Sequence, residues 1–224
     1  MVAIRASTRR KKARLQRRAR NLFNLAIILA DGDGREGSVY ARPPPVRRTR
    51  PRSHHFRLVV TDPQVRMSLR LQAAFGLRRE ESIKFQPRYA DRGDHIAIKG
   101  SWAKGGRDRT VPITTPEQRA VLDEVHRLAG LGSLIPANKT YIQQRHVYDG
   151  QCKAAGLSNM HGLRHRYAQM RYEILTGWKS PAAGGPSAAQ LNLSRRLADQ
   201  QVRQRISREL GHERVKVTAV YLGS

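Results

Sequence analysis

The chain has 224 residues and a formal net charge of +26, from 43 Lys and Arg against 17 Asp and Glu. No apolar run approaches the roughly 20 residues that a membrane helix needs. The single cysteine, Cys152, excludes an internal disulfide framework and a multi-cysteine zinc site, and it favours a reducing compartment. So large a basic excess predicts a polyanionic partner, and nucleic acid is the first candidate.

The first part of the chain differs in composition from the rest. Residues 5–20 hold nine Lys or Arg and no acidic residue. A Gly/Asp-rich cluster at 31–37 and a Pro/Arg-rich segment at 41–52 follow, and such segments order poorly without a partner. We therefore interpret residues 1–57 as a basic arm, or as the remnant of an N-terminal DNA-binding domain. Residues 58–224 are the predicted folded domain.

From Asp62 onward the pattern is that of a globular protein. Asp62 and Pro63 predict a helix start, and apolar residues follow at helical spacing as far as Leu77. Residues 94–99 and 109–113 predict two short strands around a Lys/Gly-rich turn. The two strands are therefore expected to form a small antiparallel sheet.

Helices dominate the second half of the sequence. The segment from Thr115 to Gly130 has the start and stop signals of a helix. Further helices are predicted over 138–155, from about His161, and over 194–210, with a Gly/Pro/Ser-rich loop at 176–190. The predicted fold class is α+β, mainly α-helical, with one small antiparallel sheet and no internal repeat.

Four short segments carry residue types that suggest chemistry. They are GLRREE at 76–81, AKGGRDRTVPI at 103–113, HGLRH at 161–165 and LGHERVKVTAVY at 210–221. His161 and His165 have the spacing of metal ligands, but no Glu follows the first His as a zinc-binding HExxH helix requires. Each segment alone is a weak signal, because exposed cations and packed tyrosines are common in any basic protein.

In this order, the four segments resemble the catalytic domain of the tyrosine recombinases, the phage-integrase family. The resemblance runs from about Pro63 to Leu222. The family has an Arg in GLRxxE, a Lys in a β-turn before R-x-VP, then HxxRH, then LGH with a Tyr nine residues on. The matching residues here are Arg78, Lys104, His161, Arg164, His212 and Tyr221.

The resemblance implies a site-specific recombinase or integrase from a mobile element, whose catalytic domain covers 58–224. It would cleave and rejoin DNA through a 3′-phosphotyrosyl intermediate. Tyr221 would be the nucleophile, and Arg78 and Arg164 would bind the non-bridging phosphate oxygens. Lys104 would protonate the leaving 5′ oxygen. Because the guanidinium groups do the work that a divalent metal does in many nucleases, we expect no cofactor.

The resemblance makes His161 an acid or base near the nucleophile, and His212 a hydrogen-bond donor to the phosphate. Helix geometry gives an independent constraint on His212 and Tyr221. Nine residues along a continuous helix turn through about 900°, which would place His212 and Tyr221 on opposite faces. A break between them is required if both serve one site, and Gly211 permits it.

Double-stranded DNA is the expected partner, and the resemblance implies a homo-oligomer on DNA, a tetramer in the family. No membrane partner is expected, and the predicted location is cytoplasmic and nucleoid-associated. Further candidates for DNA contact are the basic residues Arg9, Arg10, Lys11, Lys12, Arg107 and Arg109.

Two features depart from the usual family pattern. First, 47 residues separate Arg164 from His212, and the loop at 176–190 accounts for the excess; a surface insertion is favoured over a lid. Second, the sequence ends three residues after Tyr221, where many members continue with a helix that docks on a neighbouring protomer. This leaves open that the chain is truncated and less active.

The sequence also leaves alternatives open. A type IB topoisomerase shares the tyrosine chemistry, and a non-catalytic nucleic-acid-binding protein explains the charge but leaves the ordered motifs to chance. Tyr167 and Tyr172 are alternative nucleophiles, and Lys99 competes with Lys104 for the role of acid. A Cys/His hydrolase is the least favoured, because no motif surrounds Cys152.

Overall fold

The computed structural model describes residues 60–103, 105–212 and 214–224. The helices in these ranges are α1 (Pro63–Phe75), α2 (Arg79–Ile83), α3 (Pro87–Ala90), α4 (Pro116–Ala129), α5 (Tyr141–Ala154), α6 (His161–Thr176), α7 (Leu193–Glu209) and α8 (Val215–Leu222). The strands are β1 (His95–Ile98) and β2 (Arg109–Pro112). The predicted fold class, mainly helical with a small antiparallel sheet, is confirmed. The predicted basic arm, residues 1–57, lies outside the described residues.

The start and end of α1 follow from their sequence signals. The Asp62 carboxylate accepts a hydrogen bond from the Val65 N–H at 2.9 Å, which caps the helix as predicted. The helix ends at Gly76, whose φ of +63° is a left-handed conformation that favours glycine. A Cβ at this position would lie 2.5 Å from the Tyr167 ring on α6. Gly76 therefore lets α1 and α6 approach closely just before Arg78.

The two predicted strands pair antiparallel, with His95 opposite Pro112 and Ile98 opposite Arg109. The connection contains a 3₁₀ turn, Gly100–Trp102, that the sequence pattern did not predict. Trp102 is buried in it and packs edge-on against Tyr89 of α3, with ring centroids 5.6 Å apart. The aromatic contact anchors the base of the turn between the strands.

Two clusters of buried apolar side chains hold the helices together. The larger joins α1, the sheet, α4, α6, α7 and α8, and it includes Phe75, Ile96, Leu122, Tyr172, Leu210 and Leu222. The smaller packs α5 against α1 and α2 and includes Val65, Leu69, Ile83, Tyr148 and Leu163. The apolar face predicted for α1, with Val65 and Leu69, is buried in the smaller cluster, and another face, with Met67, Leu71 and Phe75, is buried in the larger one. This helix therefore lies between the two clusters.

The loop at 176–190 lies against the C-terminal end of α8. It contains two short 3₁₀ turns, Pro181–Ala183 and Ala188–Gln190. A Cβ on Gly223, the residue after α8, would lie 2.7 Å from the backbone nitrogen of Ala182. The loop therefore supports the helix that carries Tyr221, rather than standing apart from the fold.

Buried ion pairs connect the sheet to the helices around it. Glu81 on α2 is fully buried, and its carboxylate accepts hydrogen bonds from Arg109 Nη1 at 2.8 Å and Nη2 at 2.6 Å. The same carboxylate accepts bonds from the backbone N–H and the guanidinium of Arg78 at 2.7 and 2.9 Å. Burial alone would raise the pKa of Glu81, but Arg109 and then Arg78 outweigh it and lower the pKa to about 2.

The ion pairs continue from β2 to α7 and α6. Arg109 Nε donates to the backbone carbonyl of Glu209 at 3.0 Å. The Glu209 carboxylate in turn accepts bonds from Arg171 Nη2 at 3.1 Å and from the Tyr167 hydroxyl at 3.0 Å. One chain of polar contacts therefore joins α2, β2, α7 and α6.

We expect Glu81→Gln to destabilise the protein strongly, because it leaves the Arg109 cation buried without a carboxylate. Removing one partner of a buried pair typically costs about 3–5 kcal/mol. Asp149→Asn is the matched control: Asp149 pairs with Arg79 at 2.8 Å, but both side chains are about half exposed, and such pairs contribute about 0–1 kcal/mol. Urea unfolding measures both changes, and equal losses would contradict the role given to Glu81.

Candidate active site

The structure brings together five of the six residues that the sequence analysis selected: Arg78, His161, Arg164, His212 and Tyr221. They come from the α1–α2 junction, the first turn of α6, the segment between α7 and α8, and α8 itself. Lys104 lies outside the described residues, as do Arg9, Arg10, Lys11 and Lys12. The role of these five basic residues stays a prediction.

The side chain of Tyr221 lies among the histidines and Arg164 of the site. Its hydroxyl lies 2.9 Å from His161 Nε2. Its ring stacks on His165 with centroids 4.4 Å apart, and the His212 ring lies at 5.0 Å. The Arg164 guanidinium carbon is 5.8 Å from the centre of the tyrosine ring. A nucleophile within hydrogen-bond reach of a base is the arrangement that covalent catalysis needs.

The break predicted between His212 and Tyr221 is confirmed. Helix α7 ends at Glu209, and Gly211 follows with a φ of +64°. A Cβ at Gly211 would lie 2.8 Å from Arg109 Cδ, so this glycine meets both a conformational and a steric requirement. His212 stands outside both helices and can therefore face the ring of Tyr221.

The two arginines of the site differ in their surroundings. The Arg78 side chain is 26% exposed and uses Nη1 to bind Glu81. Arg164 is 1% exposed, and its two terminal nitrogens donate to the carbonyls of Gly76 and Leu210. Burial, and then the positive charges of Arg78 and Arg109, lower the pKa of Arg164 to about 10, so it remains a cation at neutral pH.

Two histidines of the site, His161 and His212, have lowered pKa values, which favour the neutral imidazole at pH 7. Partial burial, and then the charges of Arg164 and Arg78, lower the pKa of His161 from 6.5. The same effects, in the same order, lower the pKa of His212 to about 4. A neutral His161 has one unprotonated ring nitrogen, and in the Nδ1–H tautomer this nitrogen is Nε2, which can then accept the Tyr221 proton.

Two open cavities meet at Arg78. One, of about 890 Å³, is lined by Arg79, Lys153, Asn159 and His161, among others. The other, of about 360 Å³, is lined by Arg107, Arg208 and His212, among others. Since Arg78 lines both, a chain of phosphates could cross from one cavity to the other over its guanidinium group. Cations predominate over carboxylates along this surface, which suits a polyanion.

The structure favours an interior role for Arg109 over the predicted contact with DNA. Its side chain is 6% exposed. All three of its side-chain nitrogens donate to protein oxygens, on Glu81 and Glu209. The sequence could not show this, because an interior arginine and a surface arginine look alike in a basic segment. Arg107, two residues earlier, is exposed and lines the smaller cavity.

Sequence analysis also missed two residues at the site. It considered His165 only as a metal ligand, yet His165 stacks on the ring of Tyr221; its place in HGLRH was the available signal. Arg208 lines the cavity that contains Arg78 and His212. Only its position near LGH could have indicated it, because α7 contains several other arginines.

The alternative nucleophiles have less suitable surroundings than Tyr221. Burial and Glu209 raise the pKa of Tyr167, whose hydroxyl donates to that carboxylate. Burial, and then Asp199, raise the pKa of Tyr172 to about 12. Burial also raises the pKa of Cys152 to about 11, which keeps its thiol protonated and unreactive at neutral pH.

The competing lysine, Lys99, is held by other groups. Its ammonium lies 4.0 Å from the centre of the Tyr89 ring and 3.3 Å from Gln86 Oε1. It also lies 5.5 Å from the centre of the Trp102 ring. These contacts give Lys99 a cation–π role at the end of β1.

Within the described residues, no group of three or more His, Cys, Asp or Glu is arranged to hold a metal ion. None of the helices in those ranges combines the length and apolar character needed to cross a membrane.

The fold and the placement of the site residues are those expected from the family resemblance, and comparison with known families agrees. Residues 52–170, just over half of the chain, match the family model described as Integrase. The chain belongs to this integrase family, and the resemblance to tyrosine recombinases is confirmed. No match is found among curated protein sequences.

Solved structures similar to this chain include three recombination proteins. The XerH site-specific recombinase, in a post-cleavage complex with a palindromic difH substrate, is 17% identical with a TM-score of 0.45; the match covers 72% of this chain and 42% of XerH. The Tn1549 transposon integrase, in complex with circular intermediate DNA, is 12% identical with a TM-score of 0.43; the match covers 72% of this chain and 54% of that one.

The third is the integrase from mycobacterium phage Brujita, which is 16% identical with a TM-score of 0.40; the match covers 80% of this chain and 67% of the phage protein. This chain thus spans less than half of XerH and about half of the transposon integrase structure. These are distant likenesses, and the family assignment depends on the family model.

The lowered histidine pKa values predict a loss of stability on mild acidification. In the unfolded chain His161 and His212 titrate near 6.5, whereas in the folded protein they bind protons only at lower pH. Their contribution is therefore complete above pH 6.5 and is lost as the pH falls toward about 4. Glu81 and Asp91, with pKa values of about 2, remain ionised over this range.

We expect the free energy of unfolding of the wild type to fall between pH 7 and pH 5 more steeply than that of the double variant His161→Gln, His212→Gln. Urea titrations at each pH measure the difference. Parallel pH profiles for the two proteins would show that neither histidine is held neutral by the site.

Proposed function

We propose that this chain is a site-specific recombinase that cleaves and rejoins double-stranded DNA through a 3′-phosphotyrosyl intermediate. The observation that carries the proposal is the 2.9 Å contact between the Tyr221 hydroxyl and His161 Nε2, beside the guanidinium of Arg164. An isolated tyrosine is a poor nucleophile, because its hydroxyl ordinarily titrates near pH 10. A neutral histidine at this distance gives its proton a destination.

The cleavage step balances with groups of this chain. His161 Nε2 accepts the proton of Tyr221, whose oxygen forms a new bond to the scissile phosphorus. The bond from phosphorus to the 5′ oxygen breaks, and its electron pair stays on that oxygen. Lys104 donates the proton that the leaving oxygen requires. Rejoining is the reverse reaction, with a 5′ hydroxyl as the attacking group, so the phosphotyrosyl bond conserves the energy without ATP.

The cations of the site stabilise the charge that develops on the phosphate. Arg78 is exposed enough to bind non-bridging oxygens while Glu81 fixes its position. Arg164 contributes its charge from a buried position, where charge interactions are stronger than in water. His212 has a buried Nε2 without a hydrogen-bond partner among the described residues, and a phosphate oxygen would satisfy it.

The DNA path and the assembly belong to the same proposal. The two cavities that meet at Arg78 would receive the phosphates on either side of the scissile one. Residues 58–224 would form the catalytic domain, and residues 1–57 a basic arm that binds DNA without reading its sequence. We also propose that the chain acts as a homo-oligomer on DNA and derives from a mobile element, as the family resemblance implies.

Tyr221→Phe should abolish the covalent protein–DNA adduct on a nicked suicide substrate. DNA affinity should change little, because one hydroxyl is lost among many phosphate contacts. Tyr172→Phe is the matched control, and it should still form the adduct, since the Tyr172 hydroxyl binds Asp199. Denaturing gels detect the adduct, and gel-shift titrations measure affinity.

An adduct formed by the Tyr221→Phe variant would mean that the nucleophile is another residue. Relaxation of supercoiled DNA without site preference would favour the type IB topoisomerase alternative. Salt-sensitive DNA binding without any adduct from the wild type would favour a non-catalytic binding protein.

A sulfur-substituted substrate tests the assignment of Lys104 against Lys99. A general acid typically contributes about 10²–10⁴-fold to the rate, so Lys104→Ala should cleave ordinary DNA slowly. When sulfur replaces the bridging 5′ oxygen, the thiolate leaves without a proton, and this variant should recover most of its rate. Arg78→Ala should not recover, because its loss affects the non-bridging oxygens.

Lys99→Ala is the control for the same experiment. Its contacts with Tyr89 and Trp102 predict a loss that sulfur does not repair. Sulfur rescue of Lys99→Ala alone would transfer the role of acid to Lys99. Rescue of neither variant would remove lysine acid catalysis from the mechanism.

A further inference from the structure

The hydroxyl of Thr218 lies within the site, although the catalytic motif does not include it. Thr218 is fully buried on α8, one turn before Tyr221. Its Oγ1 lies 3.0 Å from His212 Nδ1, and this is its one hydrogen bond among the described residues. Because the hydroxyl is shielded from solvent, the direction of its hydrogen bond depends on whether His212 Nδ1 carries a proton.

Two arrangements of protons fit this contact. In the first, the Thr218 hydroxyl donates to an unprotonated Nδ1, and the proton of a neutral His212 then resides on Nε2. In the second, Nδ1–H donates to Oγ1. The hydroxyl proton then has no acceptor among the described residues, and Nε2 is a buried acceptor without a donor. The first arrangement leaves one group unsatisfied, and the second leaves two.

Each buried polar group without a partner costs about 1–3 kcal/mol, so the first arrangement is favoured. We propose that Thr218 is a positioning residue that fixes His212 as the Nε2–H tautomer, so that neutral His212 donates a hydrogen bond to the scissile phosphate. The part that concerns the phosphate rests on the proposed function. The assignment of the tautomer depends only on the hydrogen bond between Thr218 on α8 and His212 in the α7–α8 segment.

The tautomer matters because His212 carries a single proton. Its pKa of about 4, caused first by burial and then by Arg164, Arg78 and Arg109, keeps the ring neutral at pH 7. A neutral imidazole donates from one nitrogen only. In the wrong tautomer, Nε2 would present a lone pair to a phosphate oxygen and repel it. Thr218 therefore decides whether His212 stabilises the reacting phosphate or opposes it.

The contact also couples His212 to the nucleophile. Thr218 and Tyr221 are three residues apart on α8, which places them on neighbouring parts of one helix face. The bond from Thr218 thus holds the segment that carries His212 against the helix that carries Tyr221. The ring centroids of His212 and Tyr221 lie 5.0 Å apart in consequence.

The first test is the tautomer of His212 in the free protein, measured by ¹⁵N–¹H NMR of labelled histidine at pH 7. The wild type and Thr218→Ser should show Nε2–H, because both retain the hydroxyl. Thr218→Val has nearly the same shape without the hydroxyl, and it should lose this preference. An Nδ1–H tautomer in the wild type, or an unchanged tautomer in the valine variant, would overturn the proposal.

The second test measures adduct formation on a suicide substrate. Thr218→Val should be slower by about 10–100-fold, the usual loss when a partner that orients a histidine is removed, and Thr218→Ser should stay near the wild-type rate. In a His212→Gln background, Thr218→Val should cause no further loss, because Thr218 acts through His212. Additive losses would show that Thr218 only supports the helix, and would overturn its positioning role.

The two tests separate the inference from the proposed function. If the wild type forms no adduct, the recombinase proposal fails, while the NMR measurement still decides the tautomer. If the wild type forms an adduct and Thr218→Val matches its rate, the positioning role fails and the recombinase proposal stands. Urea unfolding of the variants shows that they are folded, and Thr218→Ala replaces the valine variant if that protein does not fold.

Discussion

The arrangement of the site depends on one buried carboxylate, that of Glu81. It binds two guanidinium groups at once, Arg78 toward the cavities and Arg109 toward the interior. Its charge is stable because these cations outweigh the cost of burial and lower its pKa to about 2. Through Arg109 the contact extends to the end of α7, next to Gly211 and the turn to His212. The positions of Arg78 and of the turn to His212 thus depend on an ion pair in the interior of the protein.

The excess of positive charge around the site determines the protonation of its histidines. Arg78 and Arg164 face the same region as His161 and His212, and after burial they are the next largest causes of the lowered pKa values. A bound phosphate would offset part of this charge and raise both pKa values. In the proposed mechanism, binding of the phosphate and protonation are therefore linked: His161 would become a better proton acceptor once the phosphate is bound.

Much of the fold and the site could be predicted from the sequence, because the strongest signals are local. The Asp62 cap, the glycine stops and the alternation in the strands each reflect a requirement of a few neighbouring residues. The geometric argument for a break before Tyr221 needed only the helix repeat. The short helices α2 and α3 were not predicted, because one or two helical turns show no periodicity of apolar residues. The interior position of Arg109 was not predicted for another reason: its partner, Glu81, is 28 residues away in the sequence.

Two donors at the centre of the site, Nε of Arg164 and Nε2 of His212, are buried without a partner among the described residues. Native proteins keep few such groups, because each costs about 1–3 kcal/mol in stability. Here both belong to residues that the family motif assigns to the phosphate, and Tyr221 lies against both, 6% exposed. In the proposed complex a phosphate oxygen would satisfy such a group, so part of the energy lost in folding the site would be recovered on binding the phosphate.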